Sequence, residues 1–428
     1  MKKLVVYGAK KLIGMQKVHG SKNSCLPIMV ATLLANGETT LKNCPILSDS
    51  IATCKILNFL GCSTQIEKDA IVVNSKNMNK TKIPKELMTK LRSSIIFLGA
   101  ILARCNQATV CFPGGCEIGK RPIDFHLKAL QQMGTQIKLE NEMLVCKVKN
   151  KRLNGAKIRL AFPSVGATEN ILLAASTANG TTTIENAAIE PEIVDLCNFL
   201  IKCGAQIHGY GTKTITIYGV EKLNPTCHRI MADRIVAATI LCAVAATKGE
   251  VFLKSINPRI IASILPIFKQ MNCTIYGFDD GIFLKSSRNL KTNFTIKTMP
   301  YPGFPTDMQP IFMALASVAQ GYTTFIETIF ENRFKHTQQL KKFGALVDLI
   351  NEKTAIVKGQ PELHNANVVA TDLRGGAGAI IAALAAPGKS SISNVKFIDR
   401  GYEAIEKQLA NLGASIVRKS FTNNKLTC

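Results

Sequence analysis

A phrase that recurs about every seventy residues constrains this 428-residue chain more than any other feature of its sequence. Each copy is an apolar segment, then a glycine or asparagine, a small residue and the start of a β-rich run. Glycine and asparagine suit this position because both tolerate the left-handed conformation that closes a helix. The six positions are Gly61, Gly134, Gly204, Asn272, Gly344 and Gly413.

A second phrase runs half a period out of phase with the first. Segments rich in Ala, Leu and Ile end at Gly37, Asn106, Gly180, Gly249, Gly321 and Gly388, and we interpret these positions as helix caps as well. Four of the segments are apolar nearly all round, which predicts buried helices over 171–178, 235–246, 311–319 and 380–386. The repeat therefore reads as strand, buried helix, strand, outer helix and closing hairpin, used six times. It predicts an α/β fold of two domains with three repeats each and a ligand cleft between them.

Hydropathy predicts no membrane-spanning segment, because no apolar stretch reaches about 18 residues. Lys10 and Lys11 interrupt the N-terminal apolar run too early for a signal peptide, so we expect a cytoplasmic protein. The fourteen cysteines include no C-x-x-C pair. This pattern argues against a zinc site and, without secretion, against a disulfide framework.

The net charge of +24 raises the alternative of a non-enzymatic basic protein that binds nucleic acid. The aromatic share is 6%, tryptophan is absent, and lysine outnumbers arginine about threefold. Base readout and phosphate clamping favour arginine, and base stacking needs aromatic side chains. The composition therefore favours a solvated lysine-rich surface and no nucleic-acid partner.

The segment HGSKNS, residues 19–24, directly precedes a predicted helix. Its cation Lys22 and amide Asn23 at a helix N-terminus are typical of an anion site. Serine and asparagine at such a position can equally be helix caps, so both interpretations stay open.

A second segment, FPGGCEIGKRPIDFH over residues 112–126, has the glycine spacing of a nucleotide P-loop. The P-loop interpretation fails, because Arg121 stands where that motif needs Ser or Thr. Cys116 remains as a thiol near Lys120 and Arg121, whose charges favour the thiolate, while Glu117 opposes them. None of the other thirteen cysteines has this setting, and we predict that Cys116 is functional.

Several further polar segments interrupt the repeat: 162–170, 303–309, 330–334, 371–374 and 398–403. Asp307 opens a predicted helix and is either its N-cap or a functional carboxylate. The last three segments each place an arginine beside an acid, which indicates either a structural ion pair or a binding site.

Eight of these stretches, taken in order, resemble one family. They are GSKNSCLPI, PGGCEIGKRPIDFH, PSVGATEN, ENAAIEPEIVD, PGFPTDMQ, ETIFENRF, TDLRGGAGA and IDRGYE. The sequence resembles, nearly end to end, the UDP-N-acetylglucosamine 1-carboxyvinyltransferase family, the enolpyruvyl transferases that open bacterial peptidoglycan synthesis.

The resemblance implies a two-domain inside-out α/β barrel of six βαβαββ repeats, three per domain. It implies a first domain over residues 22–230, which carries the Cys116 loop, and a second domain of residues 1–21 plus 231–428. The active site is expected in the cleft between the domains.

The implied reaction transfers the enolpyruvyl group of phosphoenolpyruvate to the 3′-hydroxyl of UDP-N-acetylglucosamine and releases phosphate through a tetrahedral intermediate. The resemblance implies no metal, no organic cofactor and no obligatory protein partner. Cys116 matches the family's thiol, a proton donor that also forms a covalent adduct and reacts with the epoxide fosfomycin. Asp307 matches the carboxylate that acts as base on the sugar hydroxyl, and Lys22 is the third implied catalytic residue.

The resemblance also implies two sets of binding residues. Those expected to bind phosphoenolpyruvate are Lys22, Asn23, Arg92, Arg121, Asp372, Arg374 and Arg400. Those expected to bind UDP-N-acetylglucosamine are Asn23, Arg92, Arg121, Pro122, Ile123, Asp124, Phe125, Ser164, Val165, Gly166, Asp307 and Ile329. One departure from the family is Phe162, which fills a position that is a cation in some members.

The alternative enzyme is 3-phosphoshikimate 1-carboxyvinyltransferase, which shares the fold and the type of reaction. It lacks the thiol loop and carries a different Lys-Ser signature at its N-terminal anion site. The PGGCEIGKRP segment therefore favours the UDP-sugar enzyme.

Overall fold

A computed structural model describes residues 2–89, 91, 93–111, 119 and 123–420 of the chain. The helices of this part are α1 Lys22–Ala31, α2 Ser48–Phe59, α3 Lys85–Met88, α4 Phe97–Cys105, α5 Asp124–Gln132, α6 Val165–Ala175, α7 Pro191–Lys202, α8 Arg234–Ala246, α9 Leu265–Gln270, α10 Gln309–Ala316, α11 Thr337–Lys341, α12 Leu373–Ala385 and α13 Ile405–Ala410. Short 3-10 helices cover Thr32–Leu34, Ser94–Ile96, Pro258–Ile261, Thr306–Met308 and Val395–Arg400. None of these helices is long and apolar enough to cross a membrane.

The strands of the described residues alternate with the helices. They are β1 Lys2–Tyr7, β2 Ile13–Lys17, β3 Glu38–Lys42, β4 Ser63–Glu67, β5 Ala70–Asn74, β6 Gln107–Cys111, β7 Thr135–Glu140, β8 Met143–Val148, β9 Lys157–Arg159, β10 Thr181–Glu185, β11 Gln206–His208, β12 Thr214–Tyr218, β13 Cys227–Arg229, β14 Glu250–Lys254, β15 Thr274–Phe278, β16 Gly281–Lys285, β17 Lys291–Lys297, β18 Gln320–Ile326, β19 Leu346–Asn351, β20 Thr354–Lys358, β21 Asn367–Val369, β22 Lys389–Ser393 and β23 Ser415–Ser420. The predicted α/β class is confirmed.

The described chain divides into two compact units. The 20–231 unit contains the described residues between those positions, apart from Gly119, and the 232–420 unit contains the rest, including residues 2–19. In the first unit the sheets have the strand orders β13-β3-β5-β4, β6-β8-β7 and β9-β10-β12-β11. In the second unit they are β2-β14-β16-β15, β17-β18-β20-β19 and β21-β22-β1-β23. The six separate sheets confirm six repeats, three per unit, and no sheet of the described strands closes into a barrel by hydrogen bonding.

Two short strands pair outside their own repeat. β2 precedes α1 along the chain, yet it pairs in parallel with β14 of the 232–420 unit. β13 precedes α8, yet it pairs in parallel with β3 of the 20–231 unit. The first and fourth repeats have therefore exchanged their opening strands.

The predicted buried helices lie at the centre of the packing. Every residue of α8 is buried, and α8, α10 and α12 contact one another within one hydrophobic cluster. In the 20–231 unit, α4 contacts both α1 and α6 within a second cluster. The inward-facing residues of each unit's strands belong to the same clusters. These central helices therefore lie inside each unit, and the sheets pack around them.

The predicted cap residues of the first phrase all adopt positive φ, from +66° at Asn272 to +105° at Gly204. In the second phrase the cap prediction is wrong for Gly249, because Lys248 takes the left-handed conformation there instead. A Cβ on Gly249 would lie 2.0 Å from the carbonyl oxygen of Leu12, so the glycine is required by close backbone approach. Gly321 also differs, since it lies within β18.

Candidate active site

The predicted site residues fall into three groups. Arg92, Cys116, Arg121 and Pro122 lie outside the described residues. The 20–231 unit contains Lys22, Asn23, Ile123, Asp124, Phe125, Ser164, Val165 and Gly166. The 232–420 unit contains Asp307, Ile329, Asp372, Arg374 and Arg400.

Asp307 lies in the 3-10 turn that leads into α10, and two arginines of its own unit contact its carboxylate. Arg374 donates to Oδ2 from Nη2 at 2.9 Å and from Nε at 3.1 Å. Arg333 approaches Oδ1 with Nη2 at 3.4 Å. The Asp307 side chain remains 29% exposed, so a ligand can reach a carboxylate that is already oriented.

Asp372 is the N-cap of α12, and its Oδ1 accepts hydrogen bonds from the backbone N–H groups of Arg374 and Gly375. Arg333 lies 3.4 Å from the same carboxylate oxygen. Burial raises the pKa of Asp372, but Arg333 and the backbone N–H of Gly375 more than offset it and hold the pKa below its ordinary value. The aspartate is therefore an ionised anchor that fixes the first turn of α12.

Arg374 follows directly in that turn and is 2% exposed. Burial opposes its charge, but the Asp307 carboxylate raises the pKa of Arg374 above its usual value. Its guanidinium lies 5.2 Å from the ring centroid of Tyr402, a cation–π contact, and the Tyr402 hydroxyl lies 3.0 Å from that of Thr239. Nη1 of Arg374 is buried, and the guanidinium faces Asp307 and Tyr402 within its own unit.

Arg333 is a site residue that the sequence prediction did not include. It is 2% exposed and contacts both Asp307 and Asp372, and its Nε and Nη2 donate to the carbonyl oxygen of Thr306. The signal was present in ETIFENRF, where the arginine stands beside an acid. Its carboxylate partners lie 26 residues earlier in the chain, at Asp307, and 39 residues later, at Asp372.

Ile329 and Arg400 complete the predicted residues of this unit. The Ile329 backbone N–H donates to Oε1 of the buried Glu327 at 2.9 Å. Arg400 ends the 3-10 helix Val395–Arg400 and is half-buried.

In the 20–231 unit, Lys22 opens α1 and forms an ion pair with Asp49, at 2.8 Å from Nζ to Oδ2. The Lys22 side chain is 12% exposed and that of Asp49 is 4% exposed. Asn23 follows on the exposed side of the same turn. The HGSKNS segment thus places one paired, largely buried cation and one exposed amide at the N-terminus of a ten-residue helix.

The segment PSVGATEN forms the N-terminus of α6. Ser164 is the N-cap and its Oγ accepts from the backbone N–H of Ala167, with Val165 and Gly166 in the first turn. A Cβ on Gly166 would lie 3.3 Å from the ring of His126. The backbone N–H groups of this turn face a position where the helix dipole favours an anion.

Hydrogen bonds of His126 and Asn170 connect α6 with α5 and with the start of α4. The Asn170 amide donates to Nδ1 of His126 at 3.0 Å and to the carbonyl of Ile95, while its Oδ1 accepts from the N–H of Gly99. Burial lowers the pKa of His126 to about 4, so the ring is neutral near pH 7. Asp124 and Phe125 begin α5 just before His126, and the half-exposed Asp124 pairs with Lys128.

The described residues contain no group of three or more His, Cys, Asp or Glu side chains arranged to hold a metal ion. What they offer instead is acid–base and anion-binding chemistry. The 232–420 unit presents one oriented, partly exposed carboxylate among buried arginines, and the 20–231 unit presents a lysine, an amide and a helix N-terminus.

Comparison with known proteins decides the family. Residues 6–409 match the family described as EPSP synthase (3-phosphoshikimate 1-carboxyvinyltransferase). The chain is 44% identical over 418 residues to UDP-N-acetylglucosamine 1-carboxyvinyltransferase 2 of Caldanaerobacter subterraneus, with 98% of this chain and 100% of the relative covered. It is 47% identical to the UDP-N-acetylglucosamine 1-carboxyvinyltransferase of Lawsonia intracellularis, over 98% of this chain and 99% of that one.

The chain belongs to the UDP-N-acetylglucosamine 1-carboxyvinyltransferase family. It is therefore an enzyme, a transferase of the enolpyruvyl type. The protein of that name from Geotalea uraniireducens is 44% identical over 98% of this chain and 99% of the relative.

Solved structures show the same fold as this UDP-N-acetylglucosamine 1-carboxyvinyltransferase family member at lower identity. The enolpyruvyl transferase NikO from Streptomyces tendae has a TM-score of 0.87 at 22% identity, covering 98% of this chain and 99% of that one. EPSP synthase from Acinetobacter baumannii has a TM-score of 0.75 at 20% identity, covering 99% and 100%.

Proposed function

We propose that this chain transfers the enolpyruvyl group of phosphoenolpyruvate to the 3′-hydroxyl of UDP-N-acetylglucosamine and releases phosphate. The observation that carries the proposal is the 44–47% identity, over 98% of the chain, to three proteins named for this reaction. The site geometry supports it, because both substrates are anionic and the reaction needs an oriented base and several cations.

The reaction proceeds by addition and then elimination. The 3′-oxygen of the sugar bonds to C2 of phosphoenolpyruvate while C3 takes a proton and the hydroxyl gives one up. The tetrahedral intermediate then loses the C3 proton, and the C2–O bond to phosphate breaks with the electron pair leaving on phosphate. One C–O bond is formed, one is broken, and no redox change occurs.

Asp307 takes the proton of the sugar hydroxyl in this scheme. A general base must present its carboxylate in one orientation within hydrogen-bond reach of the proton. The contacts from Arg374 and Arg333 supply that orientation, and the 29% exposure of the side chain leaves it accessible.

The cations bind the phosphate and carboxylate of phosphoenolpyruvate. Guanidinium groups suit this task because their donors match both groups in a bidentate way. Arg374 supports this role because the Asp307 carboxylate keeps its guanidinium charged beside a partly exposed position. We assign phosphoenolpyruvate binding to Lys22, Asn23, Arg92, Arg121, Asp372, Arg374 and Arg400.

We assign binding of UDP-N-acetylglucosamine to the second set of residues predicted from the sequence. In that set Asn23, Asp307 and Ile329 are assigned to the sugar. The N-terminus of α6, with Ser164, Val165 and Gly166, suits the diphosphate through its free N–H groups. Residues Arg121 to Phe125 are assigned to the uracil side, and Arg92 completes the set.

Cys116 is assigned as the proton donor to C3 and as the site of covalent adducts. In the sequence it stands near Lys120 and Arg121, whose charges favour thiolate chemistry. We further propose that the enzyme acts in the cytoplasm, on small-molecule substrates and without a nucleic-acid or obligatory protein partner, at the first committed step of peptidoglycan synthesis.

Product analysis tests the proposed function. The purified chain is incubated with both substrates and the nucleotide sugar is analysed by mass spectrometry and by proton NMR. We expect a UDP-N-acetylglucosamine ether that carries one enolpyruvyl group, with its two vinyl protons. An unchanged nucleotide sugar, with the enzyme folded and both substrates present, would contradict the proposal.

The second candidate, 3-phosphoshikimate 1-carboxyvinyltransferase, rests on the description of the matching family. It is less well supported, because the solved EPSP synthases are only 19–20% identical to this chain. Shikimate 3-phosphate in place of the nucleotide sugar distinguishes the two reactions.

A further inference from the structure

Glu327 is a carboxylate with 1% exposure at the end of β18, and each of its oxygens binds a different segment of the 232–420 unit. Oε1 accepts hydrogen bonds from the backbone N–H groups of Ile329 at 2.9 Å and Phe330 at 3.1 Å. Oε2 accepts from Oγ1 of Thr306 at 3.0 Å.

The two segments that Glu327 joins both carry residues assigned to the nucleotide sugar. In one segment, Thr306 directly precedes Asp307, the assigned base. The other segment contains Ile329, which is assigned to the sugar. Arg333 holds Thr306 from the other direction by donating to its carbonyl oxygen at 3.0 and 3.2 Å. Thr306 is therefore clamped through its side chain by Glu327 and through its backbone by Arg333.

The position of Glu327 is itself well determined. Its backbone N–H donates to the carbonyl of Lys353 at 2.8 Å, which ties it to the turn between β19 and β20. Hydrogen bonds that involve a charged carboxylate are stronger than neutral ones, and a buried carboxylate is costly unless its lone pairs are used. Three bonds to two separate segments make this carboxylate a rigid link between them.

We propose that Glu327 is the positioning residue that sets the distance between Asp307 and Ile329 and so selects for correct binding of the nucleotide sugar. The inference rests on the proposed function. Glu327 does not touch substrate; it acts through Thr306 and through the Ile329 backbone.

The proposal predicts an effect that differs between the two substrates. Asp372 and Arg374 share the N-cap bonds at the start of α12, an anchor that remains when the Glu327 link is lost, although Arg374 also contacts Asp307. Loss of the Glu327 link should therefore weaken productive binding of UDP-N-acetylglucosamine and leave phosphoenolpyruvate binding intact. A general loss of stability would affect both substrates alike.

Steady-state kinetics of Glu327→Met and Thr306→Val test the proposal, with each substrate varied at saturation of the other. Thr306→Val removes only the Oε2 bond, and it remains a test if Glu327→Met fails to fold. Each variant should raise the KM for UDP-N-acetylglucosamine and lower kcat by about tenfold, as expected for a lost hydrogen bond to a charged group. The KM for phosphoenolpyruvate should stay within about twofold, and the double variant should be no worse than the poorer single variant because both break one link.

Thr306→Ser, which keeps the hydroxyl, should restore the wild-type KM. Two matched controls lie in the same unit: Glu250→Met, which breaks an exposed pair with Lys285, and Thr247→Val, which removes the hydroxyl that bonds the carbonyls of Ala243 and Val244 at the C-terminal end of α8. Both should leave the kinetics unchanged.

Equal shifts in both KM values, or none in a folded Glu327→Met or Thr306→Val enzyme, would overturn the inference while the proposed function stands. A wild-type chain that forms no enolpyruvyl product from the two substrates would overturn the proposed function, and this inference with it.

Discussion

Arg374 donates two hydrogen bonds to a single carboxylate oxygen of Asp307, from Nη2 at 2.9 Å and from Nε at 3.1 Å. Arg333 contacts the other oxygen at 3.4 Å. Asp307 thus meets guanidinium groups on both oxygens while its side chain stays 29% exposed. This arrangement fixes the carboxylate in one orientation, which is what a base acting on a bound hydroxyl requires.

Asp307→Asn should bind both substrates and lose turnover. The amide keeps the size of the side chain but cannot accept the hydroxyl proton, and general-base catalysis typically contributes about 10²–10⁴-fold to the rate. Single-turnover kinetics alongside calorimetric binding of UDP-N-acetylglucosamine check this. A variant that retains more than about half of the wild-type kcat would remove Asp307 from the role of base.

Arg374→Lys should also reduce activity, although it keeps the positive charge. A lysine supplies one point charge, whereas Nε and Nη2 of the guanidinium engage Asp307 together. We expect kcat/KM for phosphoenolpyruvate to fall by about tenfold or more. Arg259→Lys, at an exposed position of the same unit, serves as the control, and equal kinetics for both variants would contradict the prediction.

Fosfomycin, an epoxide that alkylates the family's thiol, should inactivate the wild-type enzyme irreversibly. Cys116→Asp replaces the thiol with a group that still donates a proton, so it should retain turnover and resist the compound. Intact-protein mass spectrometry before and after treatment measures the adduct. Alkylation of the Cys116→Asp variant would show that another cysteine is the target.

The Lys22–Asp49 ion pair should contribute to stability as well as to the site. Asp49→Asn leaves a largely buried ammonium without its carboxylate, and breaking such a pair costs about 3 kcal/mol. Lys85→Met breaks the exposed Lys85–Glu142 pair, whose side chains are 59% and 79% exposed, and should leave the stability nearly unchanged because solvent screens the pair. Urea unfolding compares the two variants; equal destabilisation would contradict the distinction.

His126 should make the protein less stable in mild acid. Its pKa is about 4 in the folded chain, because the ring is buried, against 6.5 when exposed. Between these values the unfolded chain binds the extra proton, so the unfolding free energy falls as the pH drops from 6.5 to 4, by roughly 1.4 kcal/mol per pH unit. His126→Gln, which can still accept the Asn170 bond, should flatten this slope in urea unfolding. An unchanged slope in the variant would assign the acid sensitivity to other groups.

The repeat made the fold predictable because helix ends are local events. Asn272 replaces glycine at one of six equivalent positions, and it adopts the same left-handed conformation as the glycines. The apolar segments around α8 and α12 predicted buried helices for a similarly local reason. The exchange of β2 and β13 cannot be read from such patterns, since strand partners depend on hydrogen bonds between distant parts of the chain.

The site residues were predictable only where a short sequence motif determines the local backbone conformation, as at a helix start. Asp307 and Asp372 could be predicted as helix-start residues, and both occupy such positions. The ion pairs could not. Adjacent residues in the sequence suggested one pairing, but Arg374 bonds Asp307, and Asp399 bonds Arg418 at 2.8 Å. Arg374 and Asp307 lie in separate repeats, and Asp399 and Arg418 lie nineteen residues apart within the last one, so the chain must fold before either pair can form.

Phosphate release distinguishes the two transferase reactions in a single assay. The purified chain receives phosphoenolpyruvate with either UDP-N-acetylglucosamine or shikimate 3-phosphate, and inorganic phosphate is followed over time. We expect continuous release with the nucleotide sugar and none above background with the shikimate compound. Release with shikimate 3-phosphate alone would contradict this expectation.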